Sequence, residues 1–305
     1  AISKNDSAIC FTDASTGECY ATTLSGENTK QHIVDELTRF RPREVLISGK
    51  QLKEMPEIKN FVEDMLLGAI TEREEKSFDP KETEQRILSH FEVVSTENLG
   101  FTSESATSSA VGARVEYLYE TGVTGNISVK NIEIYTENQY MRLDMTAVRN
   151  LELLETMRSK SKKGSLLGVL DKTRTSMGRR LLTSWITQPL MNITQISLRQ
   201  NAVEELFSNT VLRGELMQYM SSVRDIQRIM SRMVYGSASA KDLNFIADTT
   251  VNLPIIKNLL SQANCKLLKE ICDSIDTLED VRELITAAIV DKPPTTIKEG
   301  GIIKK

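Results

Sequence analysis

Four basic side chains, Lys172, Arg174, Arg179 and Arg180, crowd around a glycine in the middle of the sequence. The stretch TSMGRRLLTSWITQPL (175–190) also holds the chain's single tryptophan, Trp185. Such a set suits two kinds of phosphate chemistry. Cationic side chains neutralise a nucleic-acid backbone, and a glycine in the loop before a helix lets N–H groups cradle a phosphate. The cradle reading fails on spacing, because Gly178 falls inside a helix rather than before it. At about 100° per residue, Met177, Leu181, Leu182, Trp185 and Ile186 share one face with Gly178 at its centre. Arg179, Arg180, Thr183, Ser184 and Thr187 lie opposite. A glycine inside a helix costs about 1 kcal/mol and is kept where another backbone must come close, so Gly178 is expected to be a helix-contact residue. Trp185 is expected in the core among its apolar neighbours, since the cluster lacks the aromatic interleaving of a single-strand binder. The basic residues are weak DNA-backbone candidates, set against a solvated face or ion pairs with acids elsewhere in the fold. Pro189 should end the helix.

Other candidate chemistries are thinner. The segment SGKQ (48–51) has Glu44 where a phosphate-binding loop needs its first glycine, and Gln51 where it needs a magnesium-holding Ser or Thr. No nucleotide site is expected. The four cysteines, Cys10, Cys19, Cys265 and Cys272, form no C-x-x-C pair, and His32 and His90 are the only histidines, so a zinc site is not expected. Cys265 and Cys272 stand roughly 10 Å apart along a helix, too far for a disulfide. The usage fits a reducing compartment. Asp144 and Asn150 suit backbone bonding at a helix start or chain reversal, and Lys160, Lys162 and Lys163 around Gly164 read as a solvated loop. A net charge of −4 over 305 residues gives no general basic field. No apolar run reaches the ~20 residues that span a bilayer.

The elements that must position these residues fall into two regions. SAICFTD and ECYATTL read as strands joined by a tight turn, and EVLIS as a buried strand. TKQHIVDELTRF places Ile33, Val34, Leu37 and Phe40 on one helical face. FDPKETEQRILSHF has a helix start at Asp79 and Pro80, and SATSSAVGARVEYLYE is a helix with small contacts at Ala106, Ala110 and Ala113. After TGVTGN (121–126) almost only helices follow. Ser165, Thr175, Asn192, Ser239 and Asp276 are expected caps, Asn192–Gln195 and Asp276–Glu279 have capping-box spacing, and Pro254 ends or bends a helix. TTIKEGGIIKK reads as extended. Both ends read as cut, as in a piece excised from a longer protein.

The central segments, GSLLGVLDKTRTSMGRRLLTSWITQPL followed by ISLRQNAVEELF, resemble the core of MutS-family DNA mismatch repair proteins. YMRLDMTAVRNLEL (140–153) resembles the opening of that core, and RDIQRIMSRM and SAKDLNFIADTT its next helices. FTDASTGECYATTL and HIVDELTRFRPREVLIS resemble the family's connector more loosely. The resemblance implies an α/β connector with a ribonuclease H-like mixed sheet over 1–125, and an all-α core/lever region over 126–305. It implies a non-catalytic structural and allosteric module that links mismatch-binding and ATPase domains. The sequence shows neither domain: HFE (90–92) lies inside the connector and is not the family's Phe-x-Glu wedge, and no Walker A loop is found. No cofactor is therefore expected in this chain, with ATP and Mg assigned to the full-length parent. The implied partners are mismatched DNA through a homodimeric parent and MutL through the connector, with this chain alone a monomer. The implied location is the bacterial cytoplasm, at the nucleoid. A ribonuclease H-like fold also raises the alternative of a metal-dependent nuclease, with Asp13 at the end of the first strand and Glu18 and Glu44 as further carboxylates. Against it, Asp13 suits a turn-shaping role.

Overall fold

Alternation along the first two strands decides their two faces. In the computed structural model β1 (Ser7–Asp13) and β2 (Glu18–Leu24) pair antiparallel, from Ser7 opposite Leu24 to Asp13 opposite Glu18. The structure describes residues 7–26, 28–121, 132–136, 140–234, 236–294 and 299–304. The chain divides into two units, Ala1–Ser161 and Lys162–Lys305. The domain boundary expected at 125/126 lies outside the described residues.

In the first unit, Ile9 and Phe11 of β1 and Tyr20 and Leu24 of β2 join one core with helix α1 (Thr29–Phe40), which contributes Ile33, Val34, Leu37 and Phe40. β3 (Glu44–Ser48) leads into α2 (Gly49–Glu54) and α3 (Pro56–Asn60), and a π turn at Phe61–Met65 brings the chain to β4 (Ala69–Arg73). β4 pairs parallel with β3 and was not evident from the sequence. The SGKQ segment has a structural explanation here. Ser48 caps α2 by accepting from the Gln51 N–H, and the Gln51 side chain accepts from the Ser48 N–H, a capping box that satisfies two helix-end donors.

The opposite faces of β1 and β2 are covered by α4 (Pro80–Phe91) and α5 (Ala106–Glu120). Ala8 and Cys10 meet Ala106 and Ala110, while Ala21 packs with Ile87, Phe91, Val111 and Val115. The short β5 (Glu133–Ile134) adds parallel to β2, so the sheet is mixed. α6 (Met145–Asn150) also belongs to this unit and packs Met145 onto its core. Every residue of α5 from Ala106 to Val115 is buried. This removes any amphipathic stripe, so small side chains are needed all round. The tightest point is Gly112, where an added Cβ would lie 2.0 Å from Thr83 Cβ and 3.0 Å from Thr83 Cα of α4.

The second unit is helical: α7 (Leu166–Leu170), α8 (Ser176–Thr187), α9 (Ile193–Ser208), α10 (Thr210–Met220), α11 (Ile226–Val234), α12 (Ala240–Val251), α13 (Leu253–Ser261), α14 (Lys266–Ser274) and α15 (Glu279–Ala288). α9, α10, α13 and α14 share one core through Ala202, Leu212, Leu216, Leu259, Leu260 and Leu268. Ile229, Ile246 and Ile285 join α11, α12 and α15 in another. Ser165, Thr175, Asn192 and Ser239 cap their helices as expected. Asp276 does not cap α15: it accepts from the Leu278 N–H, making a turn before a cap at Leu278 in the left-handed region. Pro254 sits in the first turn of α13 and starts that helix, since α12 has already ended at Val251. Near the end of the chain, Ile303 pairs antiparallel with Ile289. No helix among the described residues is long and apolar enough to cross a membrane.

Overpacking typically costs about 1–3 kcal/mol, more than the roughly 1 kcal/mol that alanine gains over glycine in a helix. Gly112→Ala is therefore expected to lower the melting temperature by several degrees. A melting temperature equal to or above that of the parent chain would mean that α4 and α5 do not approach as described.

Candidate functional site

Helix α8 carries Gly178, Arg179, Arg180 and Trp185 of the residues singled out from the sequence, and its two arginines are engaged by carboxylates. Thr175 caps the helix, accepting from the Gly178 N–H at 3.0 Å. Arg180 reaches Asp225, just before α11, with a forked contact: Nη1 to Oδ2 at 2.5 Å and Nη2 to Oδ1 at 3.1 Å. Its Nη2 also donates to Gln227 Oε1 at 2.7 Å, and Ser176 Oγ donates to Asp225 Oδ2 at 2.9 Å. This geometry fixes orientation as well as charge. The Arg180 contact, with help from Ser176, holds the Asp225 carboxyl down at about 2 from its ordinary 3.8, against the opposing effect of burial.

A second carboxylate, Asp171, collects charge between α7 and α8. Lys162 Nζ contacts it, Arg179 Nε lies 2.9 Å away, and the Thr173 hydroxyl donates to it at 2.6 Å. The Lys162 bond, followed by the Thr173 hydroxyl, pulls its pKa well below the carboxylate range. The remaining candidates, Lys172 and Arg174, are exposed and have no ion pair among the described residues. Of the expected basic cluster, Arg179 and Arg180 are thus occupied by acids of the same unit, and two cations point to solvent.

Three sequence expectations need correction. Gly178 is not at a helix–helix contact: an added Cβ would meet Thr175 Oγ1 at 3.0 Å and the Thr173 side chain at 3.7 Å, both in the preceding cap segment. The glycine lies in the first turn of α8, where the chain folds back on its own cap. Trp185 is not core but 39% exposed, and the Arg199 guanidinium of α9 stacks over its ring at 3.6 Å. The apolar stripe of α8 is only partly covered: Leu181 is 53% exposed, Met177, Leu182 and Ile186 are half-buried, and no residue of the helix is fully buried. Asn150 makes no side-chain hydrogen bond among the described residues and is exposed at the end of α6. Asp144 does start that helix, accepting from Ala147 N–H at 2.6 Å, and Pro189 follows the end of α8.

The carboxylates nominated for a nuclease do not form a metal site. Asp13 Oδ1 accepts from the N–H and hydroxyl of Ser15, shaping the β1–β2 turn. Glu18 opposes Asp13 across that hairpin, while Glu44 stands on β3 and accepts from Thr71 Oγ1 and Tyr117 Oη. Among the described residues no group of three His, Cys, Asp or Glu side chains is placed to hold a metal ion. The nuclease alternative is not supported.

What the molecule presents is a mixed-sheet unit and a helical unit whose charged residues brace elements against one another. The MutS domain II model matches residues 1–133, and the MutS domain III model matches residues 146–305. The chain belongs to the MutS family. It is 39% identical over 310 residues to the DNA mismatch repair protein MutS of Caldanaerobacter subterraneus subsp. tengcongensis, covering 99% of this chain and 34% of that protein. It is likewise 39% identical over 296 residues to the MutS of Ruminiclostridium cellulolyticum, covering 97% and 33%, and 37% identical over 298 residues to that of Alkaliphilus oremlandii, covering 97% and 34%. The chain thus spans about a third of the length of these MutS relatives.

The sequence reading missed Asp171 and Asp225 as partners. Asp225 had one local signal, its place three residues before Arg228, whose N–H it accepts as a helix-start acid does. Nothing local pointed to Arg180, 45 residues away.

Arg180→Ala removes the forked partner of a largely covered carboxylate and leaves it only Arg228, at 3.7 Å, which is expected to cost about 1–3 kcal/mol at pH 7. The Asp225 carboxyl is depressed in the fold, so its contribution is complete above about pH 4 and is lost as pH falls through about 2. Urea midpoints of parent and Arg180→Ala should therefore converge between pH 4 and pH 2; a gap that stays constant to pH 2 contradicts the pairing. Gly178→Ala should change the unfolding free energy by less than about 1 kcal/mol, and a loss as large as that of Gly112→Ala would restore the helix-contact reading.

Proposed function

We propose that this chain is the non-catalytic connector and first part of the core/lever region of a MutS-type mismatch repair protein, coupling mismatch-binding and ATPase domains carried elsewhere in the parent. The observation that favours this reading is the use made of the charges on α8. Arg179 and Arg180 join α8 to Asp171 and to the segment that starts α11, and Arg199 joins α9 to α8 through Trp185. A helix braced from several directions by directional contacts moves as one piece with its neighbours, as transmission between distant sites requires. Its outward apolar residues, Leu181 and Trp185, together with Ile193 and Phe207 of α9, form exposed surface of the kind that packs against a partner. In this proposal the partner is the remainder of the parent polypeptide.

On this reading ATP and Mg act in the full-length parent and not in this chain. Mismatched DNA is bound by a homodimeric parent in the bacterial cytoplasm, and MutL is met through the first unit. The module is tested in the parent by Arg180→Ala. Mismatch affinity and basal ATP hydrolysis should stay within about twofold, while the effect of mismatched DNA on ATP hydrolysis should fall at least fivefold, the lower range of ordinary coupling energies. Full retention of that effect in a folded variant would overturn the coupling role.

The chain by itself should bind duplex DNA weakly and without regard to mismatches. With Lys172 and Arg174 as its exposed candidates, about two phosphate contacts give a log–log salt slope near −2, and phosphate contacts carry no base readout. Competition between matched and mismatched duplexes at low and physiological salt checks this. A several-fold mismatch preference that survives physiological salt would place recognition in this chain.

A further inference from the structure

Two thiols meet inside the first unit on the face of β1 and β2 that is covered by α5, with the Arg114 guanidinium of that helix within electrostatic reach of both. Cys10 and Cys19 stand on neighbouring strands, diagonal to one another, because Cys10 opposes Ala21 and Cys19 opposes Thr12. Both point to the α5 side, and their sulfurs are 3.6 Å apart. Thr12 Oγ1 also reaches Cys19 Sγ at 3.7 Å. Arg114 of α5 is 7% exposed, and its Nε, Nη1 and Nη2 are buried without a hydrogen-bond partner among the described residues. A buried cation with no counter-charge is expensive, by several kcal/mol, so a group able to become an anion beside it is stabilised in that form.

We propose that Cys10 and Cys19 form a peroxide-oxidisable dithiol, with Arg114 as the counter-ion of its thiolate. Three observations converge on it. The sulfurs stand 3.6 Å apart, so reaching the bonding distance of about 2.05 Å takes side-chain rotation together with a small shift of the two strands, as a diagonal cross-strand pair requires. The Cys10 hydrogen bond, then Arg114, then Thr12 bring Cys19 down from 9.0 to about 7 against the effect of burial, while its partner Cys10 is held well above the ordinary range. A cavity of roughly 740 Å³, lined by Cys10, Thr12 and Arg114 and by β3 residues including Val45, has room for a small oxidant beside Cys10. Among the described residues the phenol of Tyr135 is also within electrostatic reach; burial and Glu36 hold it far above its ordinary value, and so it stays neutral.

The chemistry balances with a hydroperoxide as oxidant. Near neutral pH the pair gives up one proton and shares the other across the sulfur–sulfur contact. In the main form Cys19 is the thiolate and Cys10 the donor. Transfer of the shared proton to Cys19 gives the minor form in which the Cys10 thiolate, beside the cavity, attacks one oxygen of hydrogen peroxide; the O–O bond breaks, an S–O bond forms, and hydroxide leaves. The Cys19 thiol then displaces that oxygen from the sulfenic acid, its proton departing with it as water, and an S–S bond forms. Each sulfur loses one electron, and the peroxide is reduced to water and hydroxide.

The test is to treat the folded 305-residue chain with millimolar hydrogen peroxide, quench, denature, alkylate and digest without reductant. The expected product is a Cys10–Cys19 cross-linked peptide, 2 Da lighter than the two dithiol peptides together, with Cys265 and Cys272 still alkylated. A denatured chain has no such selectivity, so equal loss of all four thiols, or full alkylation of Cys10 and Cys19, overturns the proposal. Arg114→Met should slow the oxidation at pH 7 about threefold or more, and an unchanged rate removes Arg114 from the site. Should that variant not fold, the parent chain's own rate decides. Below about pH 7 it should rise close to tenfold per pH unit and then level off, whereas a rate still climbing steeply at pH 8.5, as for an ordinary thiol, contradicts the counter-ion role.

Discussion

A helix buried on nearly every side has no face on which to place large or charged residues, and α5 sets this constraint for the first unit. From Ala106 to Val115 it lies against β1, β2 and α4. Its close approach to α4 requires Gly112, since any Cβ there would overlap Thr83. Small side chains let the helix sit close over the sheet. The same closeness takes Arg114 out of water and sets it near the thiols of Cys10 and Cys19. The guanidinium in that layer is therefore a consequence of the packing as much as a feature added to it.

The second unit solves the placement of charge differently. Its cations lie at the margins of helices and find carboxylates in the connecting segments: Asp171 between α7 and α8, and Asp225 before α11. Both acids are largely covered, Asp171 with 4% and Asp225 with 14% of its side chain exposed. Pairs of this kind add little net stability compared with apolar packing. What they add is direction, because a forked arginine–carboxylate contact tolerates less rotation than an apolar one. α8 has no fully buried side chain, so its position within the unit rests on such contacts to an unusual degree.

Much of this was legible in the sequence, for a physical reason. β1, β2, α1 and β3 run where alternation and the 3.6-residue period place them. Ser165, Thr175, Asn192 and Ser239 cap helices because a short polar side chain just before an apolar period has a local, backbone-directed role. What was not legible is what lies across a face. The helical wheel put Gly178 at the centre of an apolar stripe, yet nothing in the wheel says whether another helix occupies the far side. Gly112, which does face another helix closely, sits in a segment with no stripe to mark it. Trp185 likewise had apolar neighbours along α8 but found its contact on α9, in Arg199. The SGKQ segment shows the reverse case: its glycine and lysine invite a phosphate reading, and its serine and glutamine, three apart, make a helix cap.

The family assignment and the physical reading converge most closely on α8. The sequence most specific to the MutS core, GSLLGVLDKTRTSMGRRLLTSWITQPL, contains Asp171, Thr173, Thr175, Arg179, Arg180 and Trp185. These are the residues that cap α8, pair its cations and stack its tryptophan. Arginines turned toward DNA would need freedom from internal acids; these two have internal acids within contact distance. The stretch that raised a phosphate-binding question is thus better understood as a set of joints. In the proposed function, its exposed apolar side chains, Leu181 and Trp185 among them, are the surface on which the rest of the parent bears, and the oriented contacts on the other side are what let the helix carry a displacement.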